Sequence, residues 1–137
     1  MRMVVTATLL ALMLVFGSPC HARAARDSCL EEKWSIRVEM EVTAYTAGPE
    51  STGKWPGHPL YGVTASGERV RRGVAAASRS LPFGTRVYVP GYGYAVVLDR
   101  GGAITDGRLD VYFDNLEEAI SWGRQGLTVL IFAPQSK

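Results

Sequence analysis

Between residues 34 and 42 every second side chain is apolar: Trp34, Ile36, Val38, Met40 and Val42 alternate with Ser35, Arg37, Glu39 and Glu41. A period of two puts the first set on one face of an extended chain and the second on the other, so this run is a half-buried β-strand. Such a strand cannot stand alone, because its apolar face and its unpaired backbone groups both need neighbours. The chain supplies them as further short runs, Val74–Ala77, Thr85–Val89, Tyr94–Asp99, Arg108–Phe113 and Leu127–Phe132, with Val63–Ala65 as another candidate. Turn residues bound them, among them Pro82, Gly84, Pro90-Gly91 and the run GGAITDG before Arg108.

Thr43, Ala44 and Tyr45 extend the first strand. Thr46 to Gly62, with three Pro and four Gly, then reads as one long loop, and loops of that length in compact domains are usually functional or mobile. One helix is expected: Asp114 followed three residues later by Glu117 resembles a capping box, and Leu116, Ala119, Ile120 and Gly123 share a helical face, with Gly126 as the stop. About six short strands and one helix suit a small, mainly all-β closed barrel better than an open parallel sheet, and closure removes exposed strand edges.

The N-terminus is read separately. Val4 to Phe16 is a nearly unbroken apolar run of 13 residues after a single early charge, Arg2. That is shorter than the roughly 20 residues needed to span a bilayer. Gly17, Ser18 and Pro19 break it, and Ala22-Arg23-Ala24 offers small residues at both positions a signal peptidase reads, so residues 1–24 are expected to be a secretory signal peptide. A short retained anchor is the alternative, and a lipidated Cys20 fits poorly because Ser18 and Pro19 precede it. Residues 25–33 then form a leader, 34–133 the barrel and 134–137 a tail, in a secreted, periplasmic or cell-envelope protein without stable membrane insertion.

Removing Arg2 and Arg23 leaves 113 residues with 13 basic and 13 acidic side chains, so a nucleic-acid partner held by counterion release is not expected. A composition 47% hydrophobic and 20% charged excludes a disordered tail. Two Cys, one of them Cys20 in the leader and the other Cys29, make neither a disulfide scaffold nor a zinc site, and no metal or cofactor is expected. Oligomeric state is not readable from the sequence.

Few residues can carry chemistry. His58 sits between Gly57 and Pro59 with no nucleophile context and is assigned a turn role. Asp106 with Gly107 is a turn pair, and Asp114 is the expected helix cap. Asp99 ends an otherwise apolar strand, and Asp110 lies inside one, between Leu109 and Val111. Aspartate is depleted in strands and costly to bury charged. Alternation puts Arg108, Asp110 and Tyr112 on one face and Leu109, Val111 and Phe113 on the other. If Asp99 meets Asp110 across the sheet, one carboxyl stays protonated and can serve as a general acid. If instead Arg108 pairs with Asp110 on an exposed face, the carboxyl is inert.

The ordered segments VTAYT (42–46), TGKWPGHPLYGVTASG (52–67), LPFGTRVYVPGYGYAVVLDRGGAI (81–104) and RLDVYF (108–113) together resemble the 3D domain, a family named for three aspartates. The resemblance covers about Val42 to Phe132. It implies a six-stranded double-psi β-barrel related to the catalytic part of membrane-bound lytic transglycosylase A and to rare lipoprotein A-like and barwin-like barrels. It also implies cleavage of the β-1,4 bond between N-acetylmuramic acid and N-acetylglucosamine in peptidoglycan glycan strands. Asp99 and Asp110 match the family's second and third aspartates, and Asp110 inherits the acid/base role. Thr43 and Tyr45, from the TAY element, are expected to line the groove, with Thr64, Tyr61 and Tyr92 as further substrate contacts and Trp55 as a weaker one.

The chain departs from the family pattern twice. Ser78 stands where the first aspartate usually lies, and Arg100 follows Asp99 where many members have Thr. The missing aspartate favours a non-catalytic glycan-binding barrel as the alternative. An aspartic protease, suggested by the family's usual Asp-Thr-Gly, lacks at Arg100 the hydroxyl that such a site uses.

Overall fold

The computed structural model describes residues 35–132; the expected signal peptide and leader, Trp34, both cysteines and the C-terminal tail lie outside them. Six strands, β1 (Ser35–Tyr45), β2 (Val74–Ala77), β3 (Arg86–Val89), β4 (Gly93–Asp99), β5 (Arg108–Tyr112) and β6 (Gln125–Phe132), close into a barrel in the order β1-β5-β2-β4-β3-β6. A short helix, α1 (Pro49–Thr52), lies in the loop after β1, and α2 (Leu116–Trp122) joins β5 to β6. Among the described residues no helix is long and apolar enough to cross a membrane.

β1 is the longest stave and serves two neighbours in turn. Its first eight residues run antiparallel to β6, from Ser35↔Phe132 to Val42↔Gln125, and its last five run parallel to β5, from Glu41↔Arg108 to Tyr45↔Tyr112. A second parallel pair joins β2 to β4, and the remaining contacts, β2 with β5 and β3 with β4 and β6, are antiparallel. Two parallel pairs interleaved with antiparallel ones make the closed barrel that the strand count predicted. Gly107, at φ 81°, makes the turn into β5, and its carbonyl accepts from the Glu41 N–H.

Alternation divides the apolar residues into two beds. Met40, Val42, Ala75, Ala77, Leu109, Val111 and Val129 fill the interior with partners from β3 and β4. Tyr45, Val74, Ala76, Leu98 and Tyr112 form a second cluster on the outer face, with Tyr61, Val70 and Ile104 packed against it. β2 is buried at all four positions because it carries only Val and Ala, small enough to be enclosed on both faces of a narrow barrel.

Several expectations shift. Val63–Ala65 forms only a single bridge, Val63 with Arg69, and no strand. The long loop after β1 holds α1, with Pro49 in its first turn. The cap of α2 is Asn115 and not Asp114: Asn115 has extended backbone, and its side chain accepts from the Glu117 N–H at 2.7 Å. The helix stops at Gly123, which takes φ 63°, while Gly126 belongs to β6 and pairs with Glu41. Ile36 is 65% exposed because this end of β1 pairs with β6 alone. On α2 only Ala119 of the predicted apolar stripe is buried.

Candidate active site

Strand register assembles the site. Thr43 on β1 pairs with Asp110 on β5, Asp110 pairs with Ala76 on β2, and Ala76 pairs with Asp99 on β4. These four side chains form a row across four staves. The last pairing depends on an irregularity: Ala75 opposes Val97 but Ala76 opposes Asp99, so β4 carries one extra residue, Leu98. A bulge of this kind turns a side chain that strict alternation would send inward. Leu98 accordingly joins the outer cluster, and Asp99 faces the same groove as Asp110. Ala76, the smallest side chain available there, leaves open the space between the two carboxyls.

The two acids are held differently. Asp99 accepts from three donors: the Ala65 and Arg100 backbone N–H groups reach Oδ1, both at 2.8 Å, and the Tyr45 hydroxyl reaches Oδ2 at 3.1 Å. For Asp110 the Thr43 hydroxyl donates to Oδ1 at 2.9 Å. Burial pushes the Asp110 carboxyl above its ordinary value; the Thr43 bond pulls it back, and the nearby charge of Asp99 adds to the rise. Arg108 does not neutralise it. Its guanidinium lies 2.8 Å from Glu41, its register partner on β1, which also takes Arg124 at 2.9 Å.

A cavity of about 530 Å³ opens over this floor. Ser51, Thr52, Lys54 and Leu60 of the loop after β1 form one wall, Val63, Thr64 and Ala65 another, and Arg100 to Gly102 with Ile104 a third. Tyr45 stands within it, its ring edge-on to Tyr112 at 5.5 Å and its hydroxyl on Asp99. Burial first, and then the charge of Asp99 and the bond to it, hold the Tyr45 hydroxyl far above its ordinary value, so it remains a donor.

The sequence-derived candidates thus separate. Asp99, Asp110, Thr43, Tyr45 and Thr64 come together. Thr64 is buried, and its hydroxyl donates to the Glu68 carbonyl and meets Ser66, which fixes the loop that aims the Ala65 N–H at Asp99. Tyr61 lies behind, half-buried against the outer apolar cluster. Tyr92 is not in the groove: its hydroxyl accepts from the Gly73 N–H and donates to the Tyr112 carbonyl, and its ring packs on Phe113 and Trp122. Trp55 is 70% exposed on its loop and does not line the cavity. His58 makes a turn, its Nδ1 accepting from the Leu60 N–H at 3.0 Å.

Sequence reasoning missed the backbone donor of Ala65 and the spacer Ala76, since neither residue type signals chemistry. Arg100 was visible only as a departure. Its guanidinium donates to the Ala77, Asp99 and Leu81 carbonyls and lies 4.1 Å from the Phe83 ring, tying the segment after β4 to the end of β2. At the other departure, Ser78 and Ser80 both donate to Asp106, which holds that exposed carboxyl below its ordinary range. Among the described residues no cluster of His, Cys, Asp or Glu could hold a metal ion.

Tyr45→Phe removes one donor from Asp99 while keeping the ring. A hydrogen bond to a charged group contributes about 1.5–3 kcal/mol, so chemical denaturation should show a loss at or below the low end of that range. An unchanged midpoint would mean that the bond contributes nothing.

A family model described as the 3D domain matches residues 72–133. The chain is 35% identical over 94 residues to YabE of Bacillus subtilis (strain 168), named for cell wall shaping, covering 69% of this chain and 22% of that protein. It is 29% identical over 114 residues to the cell wall-binding protein YocH of the same organism, covering 80% of this chain and 37% of that one. The chain therefore spans well under half the length of either relative. Among solved structures it is similar to MltA from E. coli, at 25% identity and a TM-score of 0.44 over 53% of this chain and 27% of that one. The same protein with bound chitohexaose gives 22% and 0.46 over 54% and 28%. The match to the 3D domain model encompasses Asp99, Asp110 and strands β2 to β6, and leaves β1 with Thr43 and Tyr45 outside it.

Proposed function

We propose that this protein is a lytic transglycosylase of peptidoglycan, acting outside the cytoplasm with Asp110 as its single acid/base. The observation that carries the reading is the setting of that carboxyl: half-buried on a groove floor, held by a neutral hydroxyl, and facing a second carboxylate across an alanine. The relatives named for cell wall shaping and cell wall binding support a cell-wall ligand.

In this mechanism protonated Asp110 donates to the glycosidic oxygen as positive charge develops at the muramoyl C1. The resulting carboxylate takes the proton from the C6 hydroxyl of the same sugar, whose oxygen bonds to C1 and closes a 1,6-anhydro ring. Asp99 is poorly suited to attack C1, because both its oxygens already accept hydrogen bonds. Its backbone also lies two strand spacings, about 10 Å, from that of Asp110. A retaining hydrolase needs its two carboxyls only ~5 Å apart. Asp99 therefore acts through its charge, which raises the acid.

Digestion of purified sacculi tests the reaction through its products. The expected products end in 1,6-anhydromuramic acid. Reducing muramic ends would make it a hydrolase, and no new ends would make it the glycan-binding barrel that Ser78, in place of an aspartate, favours. The pH profile follows from the raised value of Asp110: activity needs the protonated form, so it falls as pH rises through that value. Asp99→Asn removes the neighbouring charge and should move this falling limb to lower pH. A limb that stays put would separate the two residues functionally.

A further inference from the structure

We propose that the outward face of α2 is the second half of the substrate groove, a subsite for the N-acetylated saccharide lying beyond Asp110. This rests on the reading that the groove holds a glycan. α2 carries an apolar stripe at helical spacing, Leu116, Ala119, Ile120 and Gly123, yet the barrel covers only Ala119, leaving Leu116 45% and Ile120 69% exposed. A helical stripe of this kind normally faces a core. Here it lines a separate cavity of about 370 Å³ together with Thr43, Ala44, Ser51 and Arg124.

Two of those residues belong to the site already described. The Thr43 hydroxyl donates to Asp110, and Ser51 lines both cavities. Thr43 lines the second cavity and Asp110 the first, so the bond between them, like Ser51, joins the two. A polysaccharide cut within its length must extend both ways from the acid, and each cavity takes one direction. The ligand chemistry follows from the walls. Leu116 and Ile120 offer aliphatic surface to the C–H face and acetamido methyl of a sugar. Arg124 spends one N–H on Glu41 at 2.9 Å and keeps further donors for hydroxyl or carbonyl oxygens.

The test measures binding of N-acetylglucosamine trimer and hexamer to the full chain carrying Asp110→Asn, which stops turnover. The hexamer reaches both cavities and should bind about tenfold tighter or more. Ile120→Asp or Leu116→Asp should erase most of that ratio. Ile36→Asp, an equally exposed apolar position at the opposite end of β1 from Thr43, should preserve it. All three are surface changes, and thermal unfolding confirms that the variants are folded. A hexamer no tighter than the trimer, or a ratio unchanged by Ile120→Asp, overturns the subsite. Product ends from sacculi judge the reaction separately, so a ratio that depends on Ile120 in a chain that releases no products would keep the subsite and remove the transglycosylase.

Discussion

Replacing Asp110 with Asn is expected to reduce release of anhydro-muropeptides by about a hundred- to ten-thousand-fold, the range contributed by a positioned acid, while glycan binding persists. The amide keeps the shape of the side chain and can still accept from Thr43. The same change should stabilise the fold at pH above the raised value of the carboxyl. Because the carboxyl is raised above its ordinary 3.8 in the folded chain, the folded state holds the proton more tightly. Its favourable contribution is complete below the unfolded value and is lost as pH rises through the folded one. Above that value the half-buried charge opposes folding, and Asn cannot carry it. Thermal unfolding across a pH series should show an advantage for the variant that appears only as pH rises through that value. Near-normal release of product by the variant would end the acid role.

Leu109→Ala should produce the largest loss of stability. Leu109 is fully buried, opposing Val42 on β1 and Ala77 on β2, so truncation leaves a void between three staves. Removing a buried leucine costs about 2–5 kcal/mol, a large share of the roughly 5–15 kcal/mol that holds a domain together. Denaturant titration gives the measurement. A loss below about 1 kcal/mol would show that the interior collapses to fill the space. Activity below the midpoint should also fall, because Leu109 anchors the strand that carries Asp110 on its other face.

Much of the barrel was legible because strands of period two announce their faces. Leu109 and Val111 turn inward and Asp110 and Tyr112 outward, as alternation requires. Local spacing failed where a partner strand decides. Nothing in RLDVYF shows that Arg108 will prefer Glu41, because that choice comes from the parallel register with β1. Tyr92 and Tyr45 look alike in sequence, yet one hydroxyl serves backbone groups at Gly73 and Tyr112 and the other serves Asp99. The stripe on α2 forms at the predicted spacing, but only Ala119 of it is buried; Leu116 and Ile120 face a cavity at the barrel surface. The cap moved from Asp114 to Asn115 because capping depends on which residue has extended backbone, a property that composition does not encode.

The surplus residue Leu98 matters for comparing this chain with its relatives. Two sequences aligned without a gap from the start of β4, one with the insertion and one without, would set Asp99 one position past the other chain's aspartate, and the carboxylate would be scored as lost. The acid would still be present one column away.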